Sequence, residues 1–138
     1  ADFVQTQLVY DTARFREYMN KVVDLGVHEK LAILVGVGPL KSPGMAKFMN
    51  ANVPGISVPE PMIERMQDAV AGIDKEDKKA RSQAWRAEGI KICVEQIQEM
   101  RDIEGVAGVH LMPIEWEEAV RPLVEGAGLL PRPTVEAE

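Results

Sequence analysis

The sequence predicts an α/β protein built around a parallel sheet. Short β-branched runs alternate with longer stretches whose apolar residues recur at helical spacing, the order that specifies right-handed crossovers between parallel strands. The middle run, "LAILVGV" (residues 31–37), is apolar without a break, as a parallel strand covered on both faces should be. Apolar residues make up 46% and charged residues 28% of the 138, enough to bury one core and too ordered a balance for a disordered chain.

The elements follow in order. Residues 3–10, within "DFVQTQLVYD", read as the first strand, and Asp11 or Thr12 can cap the helix after it. In "TARFREYMNKVVDLG" the residues Phe15, Met19, Val22 and Val23 form one stripe, and Gly26 supplies the stop. Residues 31–37 are the second strand. "GPLKSPG" is turn chemistry with Pro39, Pro43 and Gly44. A short helix around "MAKFMN" and a second in "PEPMIERMQDAV", with Met62, Ile63, Met66 and Val70 in register, come next. "DKEDKKARSQ" reads as the solvated start of a helix that turns amphipathic at Ile90, Cys93, Ile97 and Met100. "VAGVHLM" (106–112) is the third strand. Residues 114–126 read as a last helix that Pro122 should kink or break, and "LLPRPTVEAE" is a tail.

Three parallel strands with both edges open make a poor domain, because such sheets need cover on both faces and open edges invite pairing. A (β/α)8 barrel takes about 250 residues, and this chain would supply about three of its eight units. The chain enters its first strand almost at once, so a processed or truncated chain is expected. The net charge of −6, with no basic cluster, argues against a nucleic-acid or anionic-membrane binder. One cysteine, Cys93, excludes an internal disulfide and a cysteine-rich metal site, and it suits a reducing cytoplasm. No apolar run nears the roughly 20 residues that span a bilayer.

"DFVQTQLVYD", "ILVGVGPLKSPGMAKFMNANVPGISVP" and "GVHLMP" resemble three successive strands and loops of the methylenetetrahydrofolate reductase family, in order and at about the right spacing across nearly all of residues 1–138. The resemblance implies a partial (β/α)8 TIM barrel, its sixth to eighth strands, from flavoproteins that reduce methylenetetrahydrofolate to methyltetrahydrofolate in one-carbon metabolism. It implies FAD as the cofactor, with most flavin contacts in the earlier strands, and a folate substrate. The missing amino-terminal part of the barrel, or a second chain, would complete it, as a homo- or hetero-oligomer.

By the same likeness, Gln7 matches a glutamine near the carboxyl end of its strand that contacts folate or nicotinamide. The physics agrees: barrel sites lie at the carboxyl ends of strands, and an amide can both donate to and accept from a pterin edge. Gln5, two residues earlier, is expected to hydrogen-bond within the barrel interior. Phe48 matches an aromatic that packs on the folate; as a residue read on its own, it could equally be helix core beside Met45 and Met49. Pro39 matches the proline closing the second strand, and His110 the histidine of the last strand, although a lone histidine on an apolar strand is also compatible with a satisfied core residue. Tyr10 and Asp11 serve the strand end and helix cap, and Cys93 and the methionines read as core.

Departures accompany the likeness. Met112, Pro113, Ile114, Glu115 and Trp116 replace the family's Tyr-Thr-Leu-Asn-Arg, so Trp116 stands where an arginine would help hold the folate tail. Gly44 stands where a polar contact residue often sits, and Lys41 or Lys47, otherwise solvated lysines, could meet the acidic tail. The resulting expectation is part of a flavin-dependent oxidoreductase, inactive as an isolated chain. The alternative is a non-catalytic barrel remnant that binds a pterin-like ligand or a partner subunit. A doubly wound nucleotide-binding domain is disfavoured, since no strand is followed by a Gly-x-Gly-x-x-Gly turn.

Overall fold

The computed structural model describes residues 1–134. Strand β1 (Phe3–Leu8) leads to helix α1 (Thr12–Asp24), a 3-10 turn at Val27–Glu29, and strand β2 (Ala32–Val37). Helices α2 (Pro43–Asn52), α3 (Glu60–Asp68) and α4 (Lys78–Arg101) precede strand β3 (Val106–Leu111), and a 3-10 turn (Glu117–Ala119) runs into helix α5 (Val120–Gly126). The strands form one parallel sheet in the order β1-β2-β3, an α/β arrangement consistent with part of a β/α barrel.

Helix boundaries follow local chemistry. Asp11 is the cap of α1, its carboxylate accepting from the Arg14 N–H at 3.0 Å, and Ser42 caps α2 through the Met45 N–H at 3.2 Å. Each such cap replaces a hydrogen bond that the first helical turn cannot make internally. Gly26, in the left-handed region at φ 67, follows the end of α1 as expected. Two expectations need correction. The first strand ends at Leu8 rather than residue 10: beyond the Val9 N–H, which still donates to Gly36, the Tyr10 carbonyl accepts from Gln96 of α4 instead of a strand. The last helix does not run from 114: Ile114 and Glu115 lie in a turn, and α5 begins at Val120. Pro122 therefore falls in the first turn of α5, where its missing N–H has no intrahelical partner to lose. Of the expected tail, residues 135–138 lie outside the described residues.

The core is on one side of the sheet. Ile33, Val35 and Val37 of β2 are buried against Phe15, Met19 and Val22 of α1, Cys93, Ile97 and Met100 of α4, and Leu123 of α5. A second cluster caps the carboxyl ends of the strands, joining Leu8, Tyr10 and Leu40 to Met49 of α2, Ile63 and Met66 of α3, and Ile92. Arg65 ties α3 to α4 by pairing with Glu88 (2.5 Å) and Glu95 (2.5 Å). Gly89 lets α4 approach this region, because a Cβ there would overlap the Leu40 carbonyl.

The opposite side of the sheet has no helix packed on it among the described residues. Partners across parallel strands share a face, so Gln5, Leu34 and Gly108 form one row on that side, and Gly36 and His110 the next. Phe3 is 55% exposed and Gln5 is exposed. Among the described residues Gln5 makes no side-chain hydrogen bond and no element covers it.

Candidate functional site

The candidate site lies where β1 and β3 flank Gly36. Between Gln5 and Leu8 the register of β1 against β2 slips, so β1 carries an extra residue there. Thr6 repairs the ladder with its side chain: the Gly36 N–H donates to Thr6 Oγ1 at 2.9 Å, and that hydroxyl donates to the Gln7 carbonyl at 2.8 Å. The Val9 N–H then donates to the Gly36 carbonyl at 2.9 Å, restoring normal pairing. Bulges of this kind re-aim side chains near sites. The backbone of the bulge lies against Gly36, whose added Cβ would sit 2.7 Å from the Gln7 carbonyl oxygen and 2.8 Å from that of Thr6.

Gln7 is exposed on this bulge. Its Oε1 accepts from the Leu8 N–H at 2.9 Å, which fixes the amide without using its nitrogen. Across β2, His110 pairs in register with Gly36 and is partly buried. Its Nδ1 is buried with no hydrogen-bond partner among the described residues, as are Tyr10 Oη, His28 Nδ1 and Trp85 Nε1. A buried ring nitrogen without a partner carries a cost that a ligand or water would relieve. The β1 partner of Gly36 is Leu8, so Gln7 lies in the bulge just before that level, while His110 pairs with Gly36 directly from β3.

Pro39 is buried just past β2, next to Gly38, whose Cβ position is taken by the Met112 carbonyl oxygen (2.5 Å) and Leu8 Cδ2 (3.0 Å). It shapes the backbone at the strand end and offers no exposed surface. Phe48 is 62% exposed on α2, while its neighbours Ala46 and Met49 are buried, so it is not helix core. The described contacts do not bring Phe48 to Gln7 or His110. Lys41 is not simply solvated: its Nζ donates to the Glu115 carbonyl at 2.9 Å. Lys47 is exposed.

The reactive groups elsewhere are quiet. Burial pushes the Cys93 thiol up to about 12, so it stays protonated at neutral pH and packs as core. Burial, and secondarily Cys93, raises the Tyr10 phenol above its ordinary value. No three His, Cys, Asp or Glu side chains converge as a metal set among the described residues. No helix among them is long and apolar enough to cross a membrane.

Two concavities are present. A cleft of about 200 Å³ lies beside the start of α1, lined by Tyr10, Asp11, Arg14, Tyr18 and Ser57 among others, and it includes none of Gln7, Pro39, Phe48 or His110. A groove of about 670 Å³ runs along the open edge of β3, between Val109 and Leu111 on one side and Val124 and Leu129 on the other. Sequence reasoning passed over Gln96, which is buried on the apolar stripe of α4 and donates from Nε2 to the Tyr10 carbonyl at 3.1 Å, pinning the chain where it leaves β1. Its signal was present: a lone amide among Ile92, Cys93, Ile97 and Met100.

Comparison with known proteins gives a consistent result. The family model described as methylenetetrahydrofolate reductase matches residues 1–128. Methylenetetrahydrofolate reductase 1 of Schizosaccharomyces pombe is 25% identical over 130 residues, an alignment covering 94% of this chain and 19% of that protein. The chain thus spans about a fifth of the length of the relative it matches.

Proposed function

Because this chain belongs to the methylenetetrahydrofolate reductase family, we propose that it forms the folate-facing sixth to eighth units of a reductase barrel that further strands complete. The observation that supports this reading is that Gln7 is exposed in the bulge whose backbone lies on Gly36, while His110 of β3 pairs in register with Gly36. In a closed barrel that face is the interior, and its carboxyl end is where substrates bind. The Gln7 amide offers a donor and an acceptor to a pterin edge, and His110, partly buried on β3, is the other polar side chain assigned to that face. Phe48, exposed on α2, supplies an apolar surface for the pterin or its aryl linker, and Pro39 holds the loop that places α2.

The residues present do not fit a flavin by themselves. Among the described residues no strand leads through a glycine-rich turn into a helix that could cradle a pyrophosphate; β2 leads through Gly38 and Pro39 instead. The FAD implied by the family is therefore assigned to the rest of the barrel, and no chemical step is assigned to residues of this chain. Their share is binding and orientation, which in cofactor enzymes is the protein's main contribution. The open edge of β3 favours a chain completed by other strands over a self-sufficient remnant, since β3 pairs with β2 alone among the described residues. A reducing, cytoplasmic setting fits the protonated, unpaired Cys93.

The test is direct. The intact protein that carries this sequence, purified with its flavin, should convert methylenetetrahydrofolate to methyltetrahydrofolate, followed by mass spectrometry of the product. The isolated 138 residues should not. Absence of the methyl product from the flavin-loaded intact protein would overturn the proposal.

A further inference from the structure

The loops leaving β2 and β3 are joined by a contact that the proposed function does not use. Lys41 follows the buried Gly38-Pro39-Leu40 segment, and its ammonium donates to the Glu115 carbonyl at 2.9 Å. Glu115 has φ 50, the positive value that L-residues avoid, and no other non-glycine residue among those described shares it. The left-handed region disfavours such a residue by roughly a factor of ten in population. Among the described residues no hydrogen bond or ion pair of the Glu115 carboxylate offsets this.

The turn is anchored on both sides. The Ile114 N–H donates to the Met112 carbonyl at 3.0 Å, and the Trp116 N–H to that of Pro113 at 3.1 Å. Trp116 is buried, with the Arg86 guanidinium 5.3 Å from its ring centroid. Glu115 is held between a tight turn and a buried indole, and the ammonium of Lys41 meets its carbonyl from the other loop. A hydrogen bond from a charged donor is stronger than one from a neutral donor, which suits a contact that must maintain a disfavoured conformation.

We infer that Lys41 is a positioning residue: its ammonium holds the Glu115 peptide in left-handed geometry and so locks the β3–α5 loop to the β2–α2 loop. One part of this rests on the proposed function. The two loops border Pro39 and follow His110, so the clasp sets the width of the substrate entrance.

Amide hydrogen exchange in the full chain tests the clasp without any substrate. Lys41→Met keeps the aliphatic stem and removes the donor, and it should speed exchange at Ile114 and Trp116 about tenfold while leaving Ile97 in α4 unchanged. Lys41→Arg, which retains a charged donor, should restore the slow rates. Glu115→Gly removes the left-handed cost, so in that background Lys41→Met should change exchange less than about twofold. Unchanged rates at Ile114 and Trp116, an equal effect in the Glu115→Gly background, or faster exchange at Ile97 as well would each overturn the clasp. In the active intact protein Lys41→Met should raise KM for the folate several-fold with kcat within about twofold. An unchanged KM beside loosened loops would remove the link to the entrance, whereas a wild-type enzyme without folate activity would sink the proposed function and leave the clasp standing.

Discussion

Gly36→Ala tests how the sheet positions the candidate site. The added methyl would lie 2.7 Å from the Gln7 carbonyl oxygen, 2.8 Å from the Thr6 carbonyl oxygen and 2.5 Å from Met112 Cε. The methionine tip can swing away; the two carbonyls are backbone and cannot. They belong to the bulge that Thr6 ties to Gly36 through the 2.9 Å hydrogen bond, so β1 must move outward and give up that bond or the Val9–Gly36 one. One or two lost hydrogen bonds cost about 1 kcal/mol each, and overpacking costs about 1–3 kcal/mol. Against this stands a gain of about 0.4–1 kcal/mol from the stiffer unfolded chain. The expected net is a loss of about 1–5 kcal/mol. Gly72 is the matched control, since a Cβ there meets nothing within 4 Å and its φ is not positive, so Gly72→Ala should be neutral or slightly stabilising. Urea unfolding of both variants gives the comparison. Equal midpoints for Gly36→Ala and Gly72→Ala would refute the account of the bulge.

The isolated chain, 15.3 kDa by sequence, should associate at micromolar concentration, because among the described residues both sheet edges are open and one face is bare; light scattering that shows a clean folded monomer would contradict this. The Arg65 hydrogen bond holds the Glu95 carboxyl below its ordinary range, so ionised Glu95 stabilises the fold above the usual glutamate value of about 4.3, and that contribution is lost as pH falls through the lowered folded value. Both side chains are substantially exposed, so Glu95→Gln should cost less than about 1 kcal/mol at neutral pH and nothing in strong acid, read from urea midpoints at the two pH values. The native Cys93 thiol should resist alkylation at neutral pH until the chain is unfolded; rapid labelling of folded protein would refute its burial.

The strands and helices were legible because their signals are local. The unbroken apolar run 31–37 and the stripe Phe15, Met19, Val22 each answer to one face of one element. What was not legible depends on contacts between distant residues. The bulge at Thr6 and Gln7 exists because Gly36 has no side chain and Thr6 can replace a backbone acceptor, and nothing within "VQTQLVYD" shows either fact. The alternation of Gln5 and Gln7 suggested one buried amide and one at a ligand; the structure leaves both exposed, because whether a barrel interior forms depends on strands outside β1–β3. Lys41 looked like any solvated lysine until its partner, 74 residues away, came beside it. His110 could be read as core or as site, and its unpartnered Nδ1, a feature His28 shares, does not choose between the two.

The central claim, that this chain presents Gln7 to a folate, is tested most directly by Gln7→Ala in the intact, flavin-loaded protein. Steady-state folate reduction and the urea midpoint are measured on the same preparation. Gln7 is exposed and its side-chain hydrogen bond reaches no farther than the Leu8 N–H, so stability should fall by no more than about 1 kcal/mol. Loss of one or two oriented hydrogen bonds to the substrate should lower kcat/KM by about 1–3 kcal/mol, roughly tenfold to a hundredfold. Normal kinetics with a collapsed midpoint would show that the glutamine serves the fold, and would contradict the account.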